Sequence, residues 1–120
     1  MANEIQAAAY LKATKGGVTE TAGSVTPTNF NMTGSNMQKR TQVLSTTPEV
    51  IDTGDCGAAG WIRVTNLDAS INVSLCATDG ANTVFATLKP GEFAMFRQGA
   101  ANLAKSASGT PKIEVMSIET

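Results

Sequence analysis

The chain has 120 residues, 42% of them hydrophobic and 16% charged, with a formal net charge of −1. This is the length of one ordinary domain, with enough apolar mass for a core and too little charge for a disordered tail. The near-neutral balance carries no basic nucleic-acid footprint and no polyanion signature. Histidine is absent, which removes the commonest general base and metal ligand.

The chain opens on "MANEIQAAAYLKATKGG". Glu4 precedes the apolar residues and no basic n-region is present, so the stretch does not read as a secretory signal. No apolar run approaches the ~20 residues of a membrane helix. Synthesis in a reducing cytoplasm without membrane attachment is therefore expected. There Cys56 and Cys76 are free thiols and the sequons at Asn31 and Asn72 stay silent. "EIQAAAYLKAT" could form a helix on propensity, since Ala and Leu favour one. Its alternation favours a strand, with Ile5, Ala7, Ala9 and Leu11 on one face against Gln6, Tyr10 and Lys12. Gly16-Gly17 then suits a hairpin or bulge.

From Thr19 to Asn36 the chain is mostly Thr, Ser, Asn and Gly, with Val25, Phe30 and Met32 as its main apolar residues. This predicts a polar arm or long loop over residues 19–36 that orders on a partner, with Phe30 and Met32 as anchors. "MQKRTQVLS" resumes a strand pattern. Period-2 alternation continues through Ile62 and Val64, Ile71 to Leu75, Val84 to Leu88, and Ile113 and Val115. Each such run offers one face to a core and one to solvent or a neighbour. Asp79-Gly80 and Ser108-Gly109-Thr110-Pro111 are breaks between runs. Lys89-Pro90-Gly91-Glu92 has the type II turn signature, because Pro presets φ and Gly accepts a positive one. Short strands separated by polar turns predict an all-β chain, a single sandwich or jelly roll over residues 1–120.

Cys56 in "GDCGAAG" has no activating base nearby in sequence and reads as a small buried hydrophobe. Asp52, Asp55, Asp68 and Asp79 lie mostly beside turn residues, and "DTGD" and "NLDAS" are too sparse for a calcium loop. Gly54, Gly57 and Gly60 lead into a strand and lack the Lys-Ser/Thr ending of a phosphate loop. Asn66 and Asp68 read as turn formers that bond nearby backbone donors. No catalytic, metal or cofactor site is expected, and the chain reads as a non-enzyme. "EFAMFRQG" stands out because both its faces are apolar: either the strand is buried on both sides within its own domain, or one face meets another subunit. Ala94 and Phe96 share one face; Phe93, Met95 and Arg97 share the other. Trp61 poses the same question, standing opposite Ile62 and Val64. Aromatics, Met and Arg are enriched at interfaces, so Trp61, Phe93, Met95 and Arg97 are candidate contact residues.

The order of these segments resembles the capsid cement or decoration proteins of tailed bacteriophages. It runs from Gly60-Trp61 into "VTNLDASINVSL", then "FATLKPGEFAMFR", "NLAKSASG" and "KIEVMSIE", with "LKATKGG" and "TQVLSTTPEVIDTG" before them. The resemblance implies a jelly-roll-like β-sandwich; residues 19–36 have no counterpart in it, so the extended N-terminal arm or loop expected there rests on composition. It also implies a structural virion protein on the outer capsid surface. Its partners would be the major capsid protein, whose subunits it bridges, and itself as a dimer or trimer, without direct nucleic-acid contact. The alternatives are a fibre, tail or receptor-binding module that holds carbohydrate, and a small sandwich hydrolase.

Overall fold

A computed structural model describes residues 3–57 and 59–119. The described residues are all-β, with ten strands in three antiparallel sheets and no helix. The chain divides into two compact units, residues 1–33 and 34–120.

The first unit is a hairpin of β1 (Ile5–Lys15) and β2 (Val18–Phe30). Gly16 and Gly17 join them with φ of 58° and 80°. Two consecutive positive φ values define a type I′ turn, whose twist matches that of the flanking strands. The ladder runs from Lys15↔Val18 to Ile5↔Phe30, with an irregularity between Ala7 and Ala9. There Val25, Thr26 and Pro27 lie between the partners Ser24 and Thr28, and Pro27 has no N–H to give to a ladder. The segment expected as an arm or loop is thus strand from residue 19 through Phe30. Thr-rich composition suits a strand whatever its burial, because β-branched side chains fit the pleated backbone. Ile5 is the one buried side chain among the unit's described residues.

The second unit holds two four-stranded sheets. Its strands are β3 (Met37–Val43), β4 (Glu49–Val50), β5 (Ala59–Asn66) and β6 (Val73–Cys76). They continue with β7 (Val84–Leu88), β8 (Phe93–Arg97), β9 (Leu103–Ser106) and β10 (Lys112–Glu119). One sheet has the order β3-β10-β5-β8 and the other β4-β9-β6-β7. Both contribute to one core. Ile62, Val64, Ile113 and Val115 come from the first sheet; Val73, Leu75, Leu88 and Ala104 come from the second. Leu44 and Ile51 complete it from the segments around β4, and Ala86, Ala94 and Phe96 pack against it. Ile62, Val64, Val73, Leu75, Leu88, Ile113 and Val115 are inward positions that period-2 alternation identified. Val84, on the same parity as Leu88, instead stands exposed beside the irregularity at Leu75/Cys76.

Two connections show how polar side chains hold the strands in place. Asn66, fully buried at the end of β5, donates from Nδ2 to the carbonyls of Ile71 and Leu88 at 2.8 and 3.0 Å. Its Oδ1 accepts from the Asp68 N–H at 3.0 Å, and its backbone exchanges bonds with Glu92 and Gly91. Every polar group of this residue is therefore satisfied, which is what burial of an amide requires. Asn66 thus does more than shape its own connector: it ties the β5–β6 connection to the β7–β8 turn. In that turn Glu92 N–H donates to Lys89 C=O at 2.9 Å, and Gly91 has φ of 82°. The type II geometry expected from Pro90-Gly91 is present.

The edge strand β3 is held differently. Gln42 Nε2 donates to Glu49 Oε1 and to the Val50 carbonyl, and its Oε1 accepts from Asp52 N–H. Gln38 reaches Asp55, and Arg40 lies 3.6 Å from the Asp52 carboxylate. This side of β3 is sealed by polar contacts with the segment after β4 rather than by apolar burial. Cys56 and Cys76 are free and buried. Cys56 Sγ lies 3.5 Å from Ser117 Oγ, among polar neighbours.

Candidate interaction face

The outward side of the β3-β10-β5-β8 sheet is where the sequence candidates converge. Inward residues fix the parity. With Ile62 and Val64 in the core, Trp61, Arg63 and Thr65 of β5 point outward. Register carries that parity across all four strands. One row runs Met37–Ile118–Trp61–Arg97. The next runs Lys39–Met116–Arg63–Met95, and a third Thr41–Glu114–Thr65–Phe93. Val43 and Lys112 end the face on the β3 side.

Several hydrophobic side chains on this face are open to solvent, while Trp61, Met95 and Ile118 are half-buried. Met37 is 63% exposed and Phe93 57%, while Val43 and Met116 are also exposed. Three of the chain's five methionines lie here: Met37, Met95 and Met116. Met is flexible and polarisable, so it conforms to an opposing surface better than a branched side chain does. Cations are interleaved with these residues. The Arg63 guanidinium stacks 4.5 Å from the centre of the Phe93 ring, and its Nη1 donates to Thr65 Oγ1 at 2.8 Å. The stack and the hydrogen bond fix the Arg63 guanidinium beside the Phe93 ring, a pre-ordered patch of aromatic ring and charge.

Trp61, Phe93, Met95 and Arg97 therefore share one face; parity grouped the three residues of β8, and the β5–β8 register brings Trp61 beside them. Phe96 and Ala94 turn the other way and pack on the core, with Phe96 edge-on to Phe85 at 5.9 Å between ring centres. Phe30 and Met32 belong to the hairpin unit. Phe30 ends β2 opposite Ile5, and the Met32 N–H donates to Glu4 Oε2 at 3.1 Å. That bond, ahead of any other cause, holds the Glu4 carboxyl below its ordinary value. Sequence reasoning missed Met37, Lys39, Arg63, Met116 and Ile118. The signal lay in "KIEVMSIE", where Met116 and Ile118 are apolar at the parity opposite Ile113 and Val115. That is the same two-faced pattern that singled out "EFAMFRQG".

Other polar clusters serve connections. Asp68 Oδ1 accepts from the Ser70 and Ile71 N–H groups at 2.8 Å each, the Ser70 bond being the main reason its carboxyl titrates below the ordinary range. Asp79 is lowered in the same way, chiefly by the Thr83 hydroxyl. Glu119 accepts from the Asn36 side chain and from the Gly57 and Ser35 N–H groups, in that order of effect on its lowered pKa. Among the described residues no group of three or more His, Cys, Asp or Glu side chains could hold a metal ion. Comparison with models of protein families, with curated proteins and with solved structures finds no match to this chain.

Proposed function

We propose that this chain is a structural protein of a phage virion, a cement or decoration protein. It binds the outside of the capsid and bridges subunits of the major capsid protein. The observation that carries the reading is the outer face of the β3-β10-β5-β8 sheet, where exposed Met37, Met116, Phe93 and Arg97 surround half-buried Trp61, Arg63 and Met95, a composition typical of interfaces. The strand order supports a jelly-roll sandwich. Successive strands from β3 alternate between the two sheets except at the β6–β7 hairpin, so the first and last strands lie side by side.

The hairpin supports an arm role. Each of its strands has one ladder partner within the chain, leaving the other edge of each for strand addition on a partner. On a symmetric shell, weak contacts from several copies sum by multivalency into an attachment that is hard to undo.

The reading is tested by co-sedimentation with particles lacking this protein. Wild-type chain is retained, in hundreds of copies per particle by gel densitometry. Phe93→Ala with Met95→Ala, and separately Phe30→Ala with Met32→Ala, reduce retention while leaving the melting temperature of the free protein nearly unchanged. Retention of only a few copies points to a tail component, and no retention of the wild type overturns the reading.

A further inference from the structure

The charges of this chain are segregated in a way its net charge conceals. The outer face of the β3-β10-β5-β8 sheet holds Lys39, Arg63, Arg97 and Lys112 against a single carboxylate, Glu114. That is a formal +3 on the face. The chain's totals of 9 cations and 10 carboxylates then leave five and nine elsewhere, a formal −4. A protein with net charge −1 thus presents one cationic, apolar face and is acidic over the rest.

From this separation we infer the chemistry of the partner, an inference that deepens the docking role proposed above and rests on it. The face receives an acidic protein surface with apolar anchors. A second copy of the same face is disfavoured, because a two-fold contact would set a formal +3 against +3, and like charges brought together at an interface oppose association. The pattern also departs from a nucleic-acid platform. Half-buried Trp61 and the Arg63-capped Phe93 ring do not offer a run of open rings for bases, and three methionines and Ile118 fill the positions between cations. Carboxylates of a partner would pair with Lys39 and Arg97, both exposed near the rim. Apolar side chains would meet Met37, Met116 and Phe93. The cations steer encounter and fix orientation, while the apolar surface supplies the affinity.

The experiment uses the whole chain and the fluorescence of its single tryptophan, Trp61, which lies on the face. The probes are a peptide of alternating Glu and Leu, its Lys-Leu counterpart, and an oligothymidylate. The Glu-Leu peptide should bind about tenfold or more tighter than the Lys-Leu peptide and weaken with added salt. Lys39→Glu with Arg97→Glu should abolish or invert that preference. Lys89→Glu with Lys105→Glu, which lie off the face, should leave it intact. Equal binding of both peptides, tighter binding of the oligothymidylate, or face-to-face dimerisation in sedimentation equilibrium would overturn the inference. The shell assay separates the two claims. Shell retention that ignores Lys39→Glu with Arg97→Glu keeps the docking role and defeats the acidic partner. Peptide selectivity without shell retention does the reverse.

Discussion

The hairpin and the two-sheet unit are built from the same secondary structure and held by different forces. In the two-sheet unit strands of both sheets give alternate side chains to a shared core, and ten residues of that core are buried. In the hairpin, strands of 11 and 13 residues bury one side chain among those described, while Leu11, Val18 and Val25 stand exposed. An isolated two-stranded ribbon is marginal in water at best. Its order here rests on the type I′ turn and the ladder, with little apolar burial to offset about 1–2 kcal/mol per residue of backbone entropy. Strand formation and stabilisation by burial are thus separable properties of this chain. The hairpin has the first with little of the second.

The largest effect should come from one substitution made in both regions. Leu75→Ala empties a fully buried site and should cost about 2–5 kcal/mol in denaturant unfolding. Leu11→Ala, at a site 76% exposed, should stay within about 0.5 kcal/mol. Equal costs would show Leu11 to be covered in solution, and the contrast between the regions would collapse.

Asn66→Ala comes next. It strands the carbonyls of Ile71 and Leu88 and the N–H of Asp68 in a buried setting, and about 1–3 kcal/mol of stability should be lost. A shift in thermal midpoint near zero would mean that water replaces the amide and that the connection carries little.

A turn comparison gives a smaller and more local effect. Gly91→Val forces a branched residue to φ of 82° in the two-sheet unit and should lower its stability by roughly 1 kcal/mol or more. Gly17→Val imposes similar strain at φ of 80° in the hairpin. It should leave the main thermal transition in place and speed amide exchange in β1 and β2 alone. Loss of the main transition in both variants would make the two regions one cooperative unit.

Acid should produce the smallest effect. Glu119, Asp68 and Asp79 in the two-sheet unit and Glu4 in the hairpin all have lowered pKa values, each chiefly from a hydrogen bond to its carboxylate. A depressed carboxyl contributes stability that is complete above its unfolded value, 4.5 for Glu119, and is lost as pH falls through the folded value. The thermal midpoint should therefore decline on acidification below that range. Glu119→Gln should be less stable than wild type near neutral pH and lose less on acidification. Identical pH profiles for the two proteins would remove Glu119 from the account.

Much of the two-sheet unit was legible because alternation reports directly on which side chains face a core. Ile62, Val64, Ile113 and Val115 could be placed inward without a structure, and Trp61 opposite them by the same parity. In "EFAMFRQG" parity grouped Phe93, Met95 and Arg97 but left open which of its two apolar faces points outward. Pro90-Gly91 and Gly16-Gly17 encode their turns locally through φ. The second strand of the hairpin was less legible. Its polar composition signals missing burial, and a strand paired only with its neighbour shows no apolar period.

Sequence alone determined strand parity and turn geometry, since both follow from a residue's own stereochemistry and that of its near neighbours. Only the tertiary structure decided which strands lie side by side. Register between β3, β10, β5 and β8, set by contacts far apart in the chain, assembles the rows of Met, Trp, Phe and cationic side chains into one face. Contacts between parts of the chain far apart in sequence also bring Asn66 to Leu88 of the other sheet and Glu119 to Asn36, since a hydrogen bond is decided by where two groups meet in space.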